Sequence, residues 1–256
     1  MENKIKAFAS ELRNKFGYYE SDALDLQNLL RKAEILAFYK ELDEGFSGMT
    51  ITVDGRAFLS HESVQREIKD KYFILINSNH TIGRQNFTIC HELYHIFFDP
   101  DFTPHKCYTG SFNKGNITEY YADIFASHFL LPDSGVIRMI PIDEFAMNKV
   151  SLFTILKIEN YYQVSRSALL RKLKDLKIIN EGYAQLFRTS VRKNAEVYGF
   201  STKLYETGND GLIISDYAVK AKLLFDSNKI SISKYAELMQ DINLDIFRED
   251  LNDAPI

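Results

Sequence analysis

The sequence is short of several things, and each shortage narrows its function. Among 256 residues there are two cysteines, five prolines and no tryptophan, and 31 basic side chains stand against 35 acidic ones. Two cysteines, Cys90 and Cys107, imply no disulfide framework, so the chain reads as the product of a reducing compartment, the cytoplasm. A net charge of −4 argues against a dominant polyanion-binding surface. No stretch reaches the ~18 apolar residues of a membrane span, and the amphipathic segment Met1 to Phe16 lacks the apolar run of a signal peptide. Low-complexity tracts, clear internal repeats and phosphate-binding glycine loops are missing too. What is plentiful is apolar matter: 45 % of the residues are hydrophobic, enough for a sizeable core.

Against that background one pentapeptide stands out, His91-Glu92-Leu93-Tyr94-His95. On a helix of 3.6 residues per turn, His91 and His95 share one face, one turn apart, and two imidazoles so placed can share one tetrahedral Zn²⁺. Glu92 lies beside the first of them, placed to take a proton from a water activated by the metal rather than to bind the metal itself. The helix is expected to be buried. Phe87, Cys90, Tyr94 and Phe97 recur at helical spacing, Leu93 and Ile96 widen the stripe, and Asp99-Pro100 stops it. A buried imidazole pair calls for a partner that solvent does not provide.

A third ligand is expected from the next helical segment, Asn116 to Leu131, closed by Pro132. Glu119, Ala122, Asp123 and Ala126 fall on one face. The alanines allow another helix to come close, so a carboxylate could reach a shared metal. Glu119 is the third ligand on this reading, with Asp123 the acceptor that orients a ligand histidine. Two alternatives stand beside it: Asn116-x-x-Glu119 approximates a capping box, and Asp123 could ligate directly. The loop between these helices carries His105 and Cys107, either of which could reach the metal's open position, although an ordinary loop cysteine is the simpler expectation. His105, His128, Tyr120 or Tyr121 could stabilise an oxyanion. His61 and His80 read as loop or surface residues.

These two segments carry a family resemblance. Phe87-Thr88-Ile89-Cys90-His91-Glu92-Leu93-Tyr94-His95 resembles the core motif of the ImmA/IrrE metallopeptidases. Glu119-x-x-Ala122-Asp123-x-Phe125-Ala126-x-x-x-Leu130-Leu131-Pro132 resembles their second motif. Gly45 to Ile51 and Tyr72 to Asn77 are similar to the strands that precede the family's metal helix. The likeness covers roughly residues 5 to 180. It implies a small zincin-type fold, zinc on His91, His95 and Glu119, and Glu92 as general base. It also implies a narrow substrate, typically a helix-turn-helix repressor or similar regulator. Tyr94 departs from the Gly or Ser common there and is expected to add bulk beside the site; Cys90 replaces a common Ala.

Along the chain, residues 4 to 16 and 21 to 44 show helical periodicity, the second through Leu26, Leu29, Leu30, Ala33, Leu36 and Ala37. Met49 to Val53 and Ala57 to Leu59 flank Asp54-Gly55, a hairpin signal, and Tyr72 to Asn77 reads as a buried strand. An exposed strand edge beside the metal helix could pair with an extended peptide. Ser151 to Tyr162 and Ser165 to Leu176, with Ser165 as N-cap, resemble a helix-turn-helix. Arg166, Arg171, Lys172, Lys174 and Lys177 lie on or just after its second helix. DNA reading is one use of such a unit; packing against the peptidase, with a solvated basic face, is preferred because the overall charge is acidic. Two further helical patterns follow, from Ser215-Asp216 and from Ser231 or Ser233, before an acidic end.

The expected architecture is α+β. A zincin-like metallopeptidase domain spans residues 1–135, a helical, helix-turn-helix-like subdomain 136–182, and a mostly helical C-terminal segment 183–256. The expected function is that of a cytoplasmic zinc endopeptidase. Its partner is a protein substrate, a repressor or antitoxin-like regulator, without membrane attachment and with direct nucleic-acid binding not favoured. The rival expectation is a DNA-binding or partner-binding regulator whose zinc is structural or sensory.

Overall fold

The computed structural model describes residues 1–53, 71–99, 106–147, 149–242 and 244–247. It is a mixed α+β fold around a small four-stranded sheet. The first helix, α1 (Glu2–Lys15), buries Ile5, Ala9 and Leu12 on its inner stripe. That stripe also carries Arg13, only 2 % exposed, whose guanidinium donates to the carbonyls of Phe129, Tyr19 and Asp22. Helix α2 (Leu26–Lys32) starts at Asp25, whose carboxylate accepts the Asn28 N–H at 3.0 Å.

Helical periodicity from 21 to 44 is overruled midway. Glu34 adopts φ +56°, the left-handed conformation that ends a helix, and strand β1 (Leu36–Lys40) follows. Ile35, Ala37 and Tyr39 are buried while Phe38 and Lys40 are exposed, a period of two. Leu36 and Ala37 suit either period. The pairing with a neighbouring strand decides between them, and that partner lies more than thirty residues away.

Strand β2 (Gly48–Val53) and strand β3 (Lys71–Asn77) run antiparallel, Gly48 opposite Ile76 and Val53 opposite Lys71. β1 pairs parallel to β3, Leu36 opposite Phe73 and Lys40 opposite Asn77. A short strand β4 (Ile213–Ile214) pairs antiparallel with β1, so the order is β2-β3-β1-β4, and among the described residues β2 is an edge. The second half of the expected hairpin, Ala57 to Leu59, lies outside the described residues, as do His61 and His105.

Helix α3 (Ile82–Phe98) packs against β2 and β3 on one side and helix α4 (Ile117–Leu130) on the other. Every residue from Phe87 to His95 is buried. Short helices α5 (Asp133–Arg138) and α6 (Ile142–Ala146) lead to α7 (Leu152–Tyr162) and α8 (Arg166–Asp175). Ser165 caps α8 as expected, its Oγ accepting the Ala168 N–H at 3.3 Å. The turn between α7 and α8 lies against the start of α3: a Cβ on Gly83 would come within 2.7 Å of the Ser165 backbone nitrogen. Helices α9 (Glu181–Gln185), α10 (Val191–Val197), α11 (Tyr217–Asp226) and α12 (Ile232–Gln240) complete the chain. No described helix is long and apolar enough to cross a membrane.

Two basic residues of α8, Arg166 and Lys172, are buried inside the fold, and the others make contacts nearer its surface. Arg166 pairs with Glu159 at full burial, Lys172 is 1 % exposed against Asp133 and His128, Arg171 stacks 3.4 Å from the Phe112 ring, and Lys174 pairs with Glu181. Lys172 and Arg171 face Asp133 and Phe112 outside this helical pair, while Lys177 is exposed.

Candidate metal centre

The sequence of α3 puts two imidazoles in a fully buried position, and the fold determines what surrounds them. His91 and His95 are each no more than 1 % exposed, and their Nε2 atoms are 3.3 Å apart. The other ring nitrogen of each faces a carboxylate: His91 Nδ1 lies 2.9 Å from Asp123, and His95 Nδ1 lies 3.1 Å from Asp99. A carboxylate accepts, so Nδ1 carries a proton in each ring, and a ring that bound a metal would offer it the Nε2 lone pair. Two Nε2 atoms are thus directed at one point.

Helix α4 brings a third acceptor to that point. Asn116 Oδ1 accepts the Glu119 N–H at 3.3 Å, so half of the expected capping box forms. The Glu119 carboxylate turns instead to the imidazoles, with Oε2 3.2 Å from His91 Nε2 and Oε1 3.1 Å from His95 Nε2. Capping and approach to the histidines are therefore not alternatives; the backbone does one and the side chain the other. Ala122 and Ala126 are fully buried, consistent with two helices meeting closely at this level.

The three separations suit a cation. Ligands about 2.0–2.1 Å from a tetrahedral ion lie roughly 3.3 Å from each other, the spacing seen here. Electrostatics point the same way. Burial alone disfavours charge on His91, yet hydrogen bonds to Asp123 and Glu119 and the nearby carboxylate charges outweigh it and push its pKa up to about 10. The pocket is built for positive charge. Cys107 is fully buried, and its Sγ joins the His91, His95 and Glu119 donors in a group whose atoms all lie within 4.8 Å of one another. Burial, then the charges of Glu92 and Glu119, push its thiol pKa far up.

Glu92 is fully buried beside this group. Thr50 Oγ1 on β2 donates to its Oε2 at 2.8 Å, while its Oε1 has no hydrogen-bond partner among the described residues. Gly48 makes the approach of β2 possible: a Cβ there would meet Thr88 Cγ2 at 2.5 Å and Glu92 Oε1 at 3.3 Å. Asp123 has a second task. Its oxygens accept the N–H groups of Gly110 and Phe112 at 2.8 and 2.7 Å, tying the loop that follows Cys107 to the carboxylate that orients His91. A cavity of about 470 Å³ lies on the far face of that loop, among Arg84, Phe87, Phe112, Ser167 and Arg171.

All five expected site residues, His91, Glu92, His95, Glu119 and Asp123, therefore converge. Asp99 and Thr50 were not anticipated. Asp99 could have been found from its place one turn after His95 on the same face; Thr50 could not, because only strand register brings it to Glu92. Tyr94 does add bulk beside the site, its ring meeting the His95 imidazole edge-on at 5.7 Å, and it is buried, packing also against Phe98 and Phe125. Other expectations shift. His80 is no surface residue, being 5 % exposed and donating to the Glu44 carbonyl at 3.1 Å. His128 and Tyr120 are bonded elsewhere, to Asp133 and Lys172 and to Glu2 respectively.

An α+β fold with two histidines one turn apart, a glutamate from the next helix and a second buried glutamate beside them has the design of a metallopeptidase centre. Residues 47–174, half of the chain, match the family model of the IrrE N-terminal-like domain, peptidase family M78, and the chain belongs to this family of metallopeptidases. No curated protein matches it.

Proposed function

We propose that the protein is a zinc-dependent endopeptidase. His91, His95 and Glu119 would hold the zinc, which when bound supplies Lewis acidity to a water and to the scissile carbonyl. Glu92 is the general base: its Oε1 accepts the water proton and later delivers it to the leaving amine, while Thr50 keeps the carboxylate from rotating away. Asp123 and Asp99 hold the imidazoles in the tautomer that turns Nε2 to the metal. The edge of β2 runs beside α3, and an extended peptide added there would lie across the site. The observation that carries this reading is the full burial of Glu92, one oxygen held by Thr50, next to three converging donors.

The substrate we propose is a regulatory protein of the cytoplasm, a helix-turn-helix repressor or an antitoxin-like regulator, a choice supported by the family likeness alone. A second reading has one observation in its favour: four donors, Cys107 included, could close the site and make the metal structural or sensory. Glu92→Gln separates the two. It should retain one equivalent of zinc and lose cleavage by roughly 100-fold or more, and it should trap the substrate for identification by co-purification. Biological output unchanged in Glu92→Gln would sink the peptidase reading.

A further inference from the structure

We infer that the segment around Cys107 is a built-in pseudosubstrate, in which the backbone occupies the sheet edge beside the site and the thiol closes the metal as a fourth ligand. The inference rests on the peptidase reading above and adds a resting state to it.

The backbone observation comes first. Cys107 forms an isolated antiparallel bridge with Gly48 on the side of β2 opposite β3. Its N–H donates to the Gly48 carbonyl at 2.9 Å, and its carbonyl accepts the Ser47 N–H at 3.0 Å. Two adjacent residues, Ser47 and Gly48, thus face one, the bulge-like start of the pairing that an extended peptide makes with an edge strand. The chain already holds one residue of such a peptide in place, opposite Gly48, where a Cβ would come within 3.3 Å of Glu92 Oε1.

The thiol observation is independent. A side chain paired at an edge could point anywhere, yet Cys107 Sγ falls within 4.8 Å of every other donor of the metal group. Tetrahedral ligation with a Zn–S bond of about 2.3 Å asks for separations of roughly 3.5 Å, so closure needs a shift on the order of an ångström. Cys90, the other cysteine, lies on a different face of α3, next to Tyr39 and Arg13.

The plug is anchored by the site itself. Thr109 Oγ1 meets Thr88 Oγ1 at 3.1 Å, and Asp123 holds the N–H groups of Gly110 and Phe112. Ligation would exchange the S–H bond for an S–metal bond and release one proton to solvent. Turnover reverses this: a water takes the thiolate's place, the thiol regains a proton, and the substrate strand replaces Cys107 on β2. The segment thus blocks both things a substrate needs, the coordination position and the strand edge.

The test uses the full-length protein with cobalt(II) in place of zinc, and the zinc form for X-ray absorption. Wild type should show a near-ultraviolet sulfur-to-cobalt charge-transfer band and one sulfur scatterer at about 2.3 Å. Cys107→Ser should lose both while keeping one equivalent of metal, and Cys107→Ala should do the same and raise basal cleavage severalfold. Should the alanine variant fold poorly, the serine variant, close in shape, carries the test. One equivalent of cobalt in wild type with no sulfur signature would overturn the proposal and leave the peptidase reading standing. So would equal cleavage by wild type and both variants. A sulfur signature with no cleavage by wild type or by either variant would show instead that the peptidase reading had failed.

Discussion

At the scale of single residues, the centre is governed by which nitrogen of each imidazole is committed elsewhere. Asp123 and Asp99 each take one Nδ1–H, so it is the Nε2 atom of each ring that turns to Glu119 and to the other imidazole. Without these carboxylates each ring could adopt the other tautomer or rotate, and a metal would have to select the right state at a cost. Asp123→Ala and Asp99→Ala should each weaken metal affinity roughly 10–100-fold, read by titration against a competing chelator. Asp123→Ala should be the worse of the two, since it also frees the N–H groups of Gly110 and Phe112. Equal, unperturbed affinities would show that the imidazoles are held by packing alone. The sequence announced His91, His95 and Glu92 through spacing on one helix, and Glu119 through the face it shares with two alanines. It did not announce Thr50, whose contact with Glu92 depends on strand register.

At the scale of elements, the informative disagreements fall where a helix ends. The pattern from 21 to 44 obeys a helical period, yet Glu34 turns left-handed and the chain becomes β1. Helix α8 ends in the same way. Lys177 has φ +58°, and the Ile178 N–H returns to the Leu173 carbonyl at 2.9 Å, a closure that glycine fills most easily. Lys177 is exposed, and no side-chain bond to a described residue ties it down. Lys177→Gly should therefore stabilise the protein by about 0.5–1 kcal/mol, seen as a higher urea midpoint with an unchanged slope. A lower midpoint would show that the unfolded-state entropy of glycine outweighs the relieved backbone. The same scale explains the basic residues of α8. Their sequence pattern suits a DNA-reading helix, but Arg166 and Lys172 are buried against carboxylates of α7 and α5.

At the scale of the whole molecule, the C-terminal part is tied to the metal helix. The Ile82 N–H at the start of α3 donates to the Glu206 carbonyl at 2.9 Å. The buried Gln85 side chain donates to the carbonyls of Ser78, His80 and Gly208, and Asn209 donates back to its Oε1. β4 then completes the sheet. Burial in this region has a titration consequence. Burial first, then the nearby Arg84 charge, hold the His80 pKa below 6.5, although its bond to the Glu44 carbonyl opposes them, and His80 Nδ1 is buried with no partner. The folded protein thus resists a proton that the unfolded chain accepts. The stability from neutral His80 is complete above pH 6.5 and is lost as pH falls towards its folded pKa. Thermal midpoints of wild type should fall relative to His80→Gln between about pH 7.5 and pH 5. A difference that stays constant over this range would place the titration elsewhere.

The sequence by itself determined the chemistry of the centre: two imidazoles one turn apart, a carboxylate beside them, and a second helix with an acidic face and small residues. Those features depend on spacing within a helix, which is local and survives in any fold. Tertiary structure decided everything that depends on distant pairing. It set Thr50 against Glu92, made β1 a strand, and laid Cys107 on the edge of β2. None of these can be read from periodicity, because each joins segments whose approach is dictated by how the sheet and the two helices close over one core.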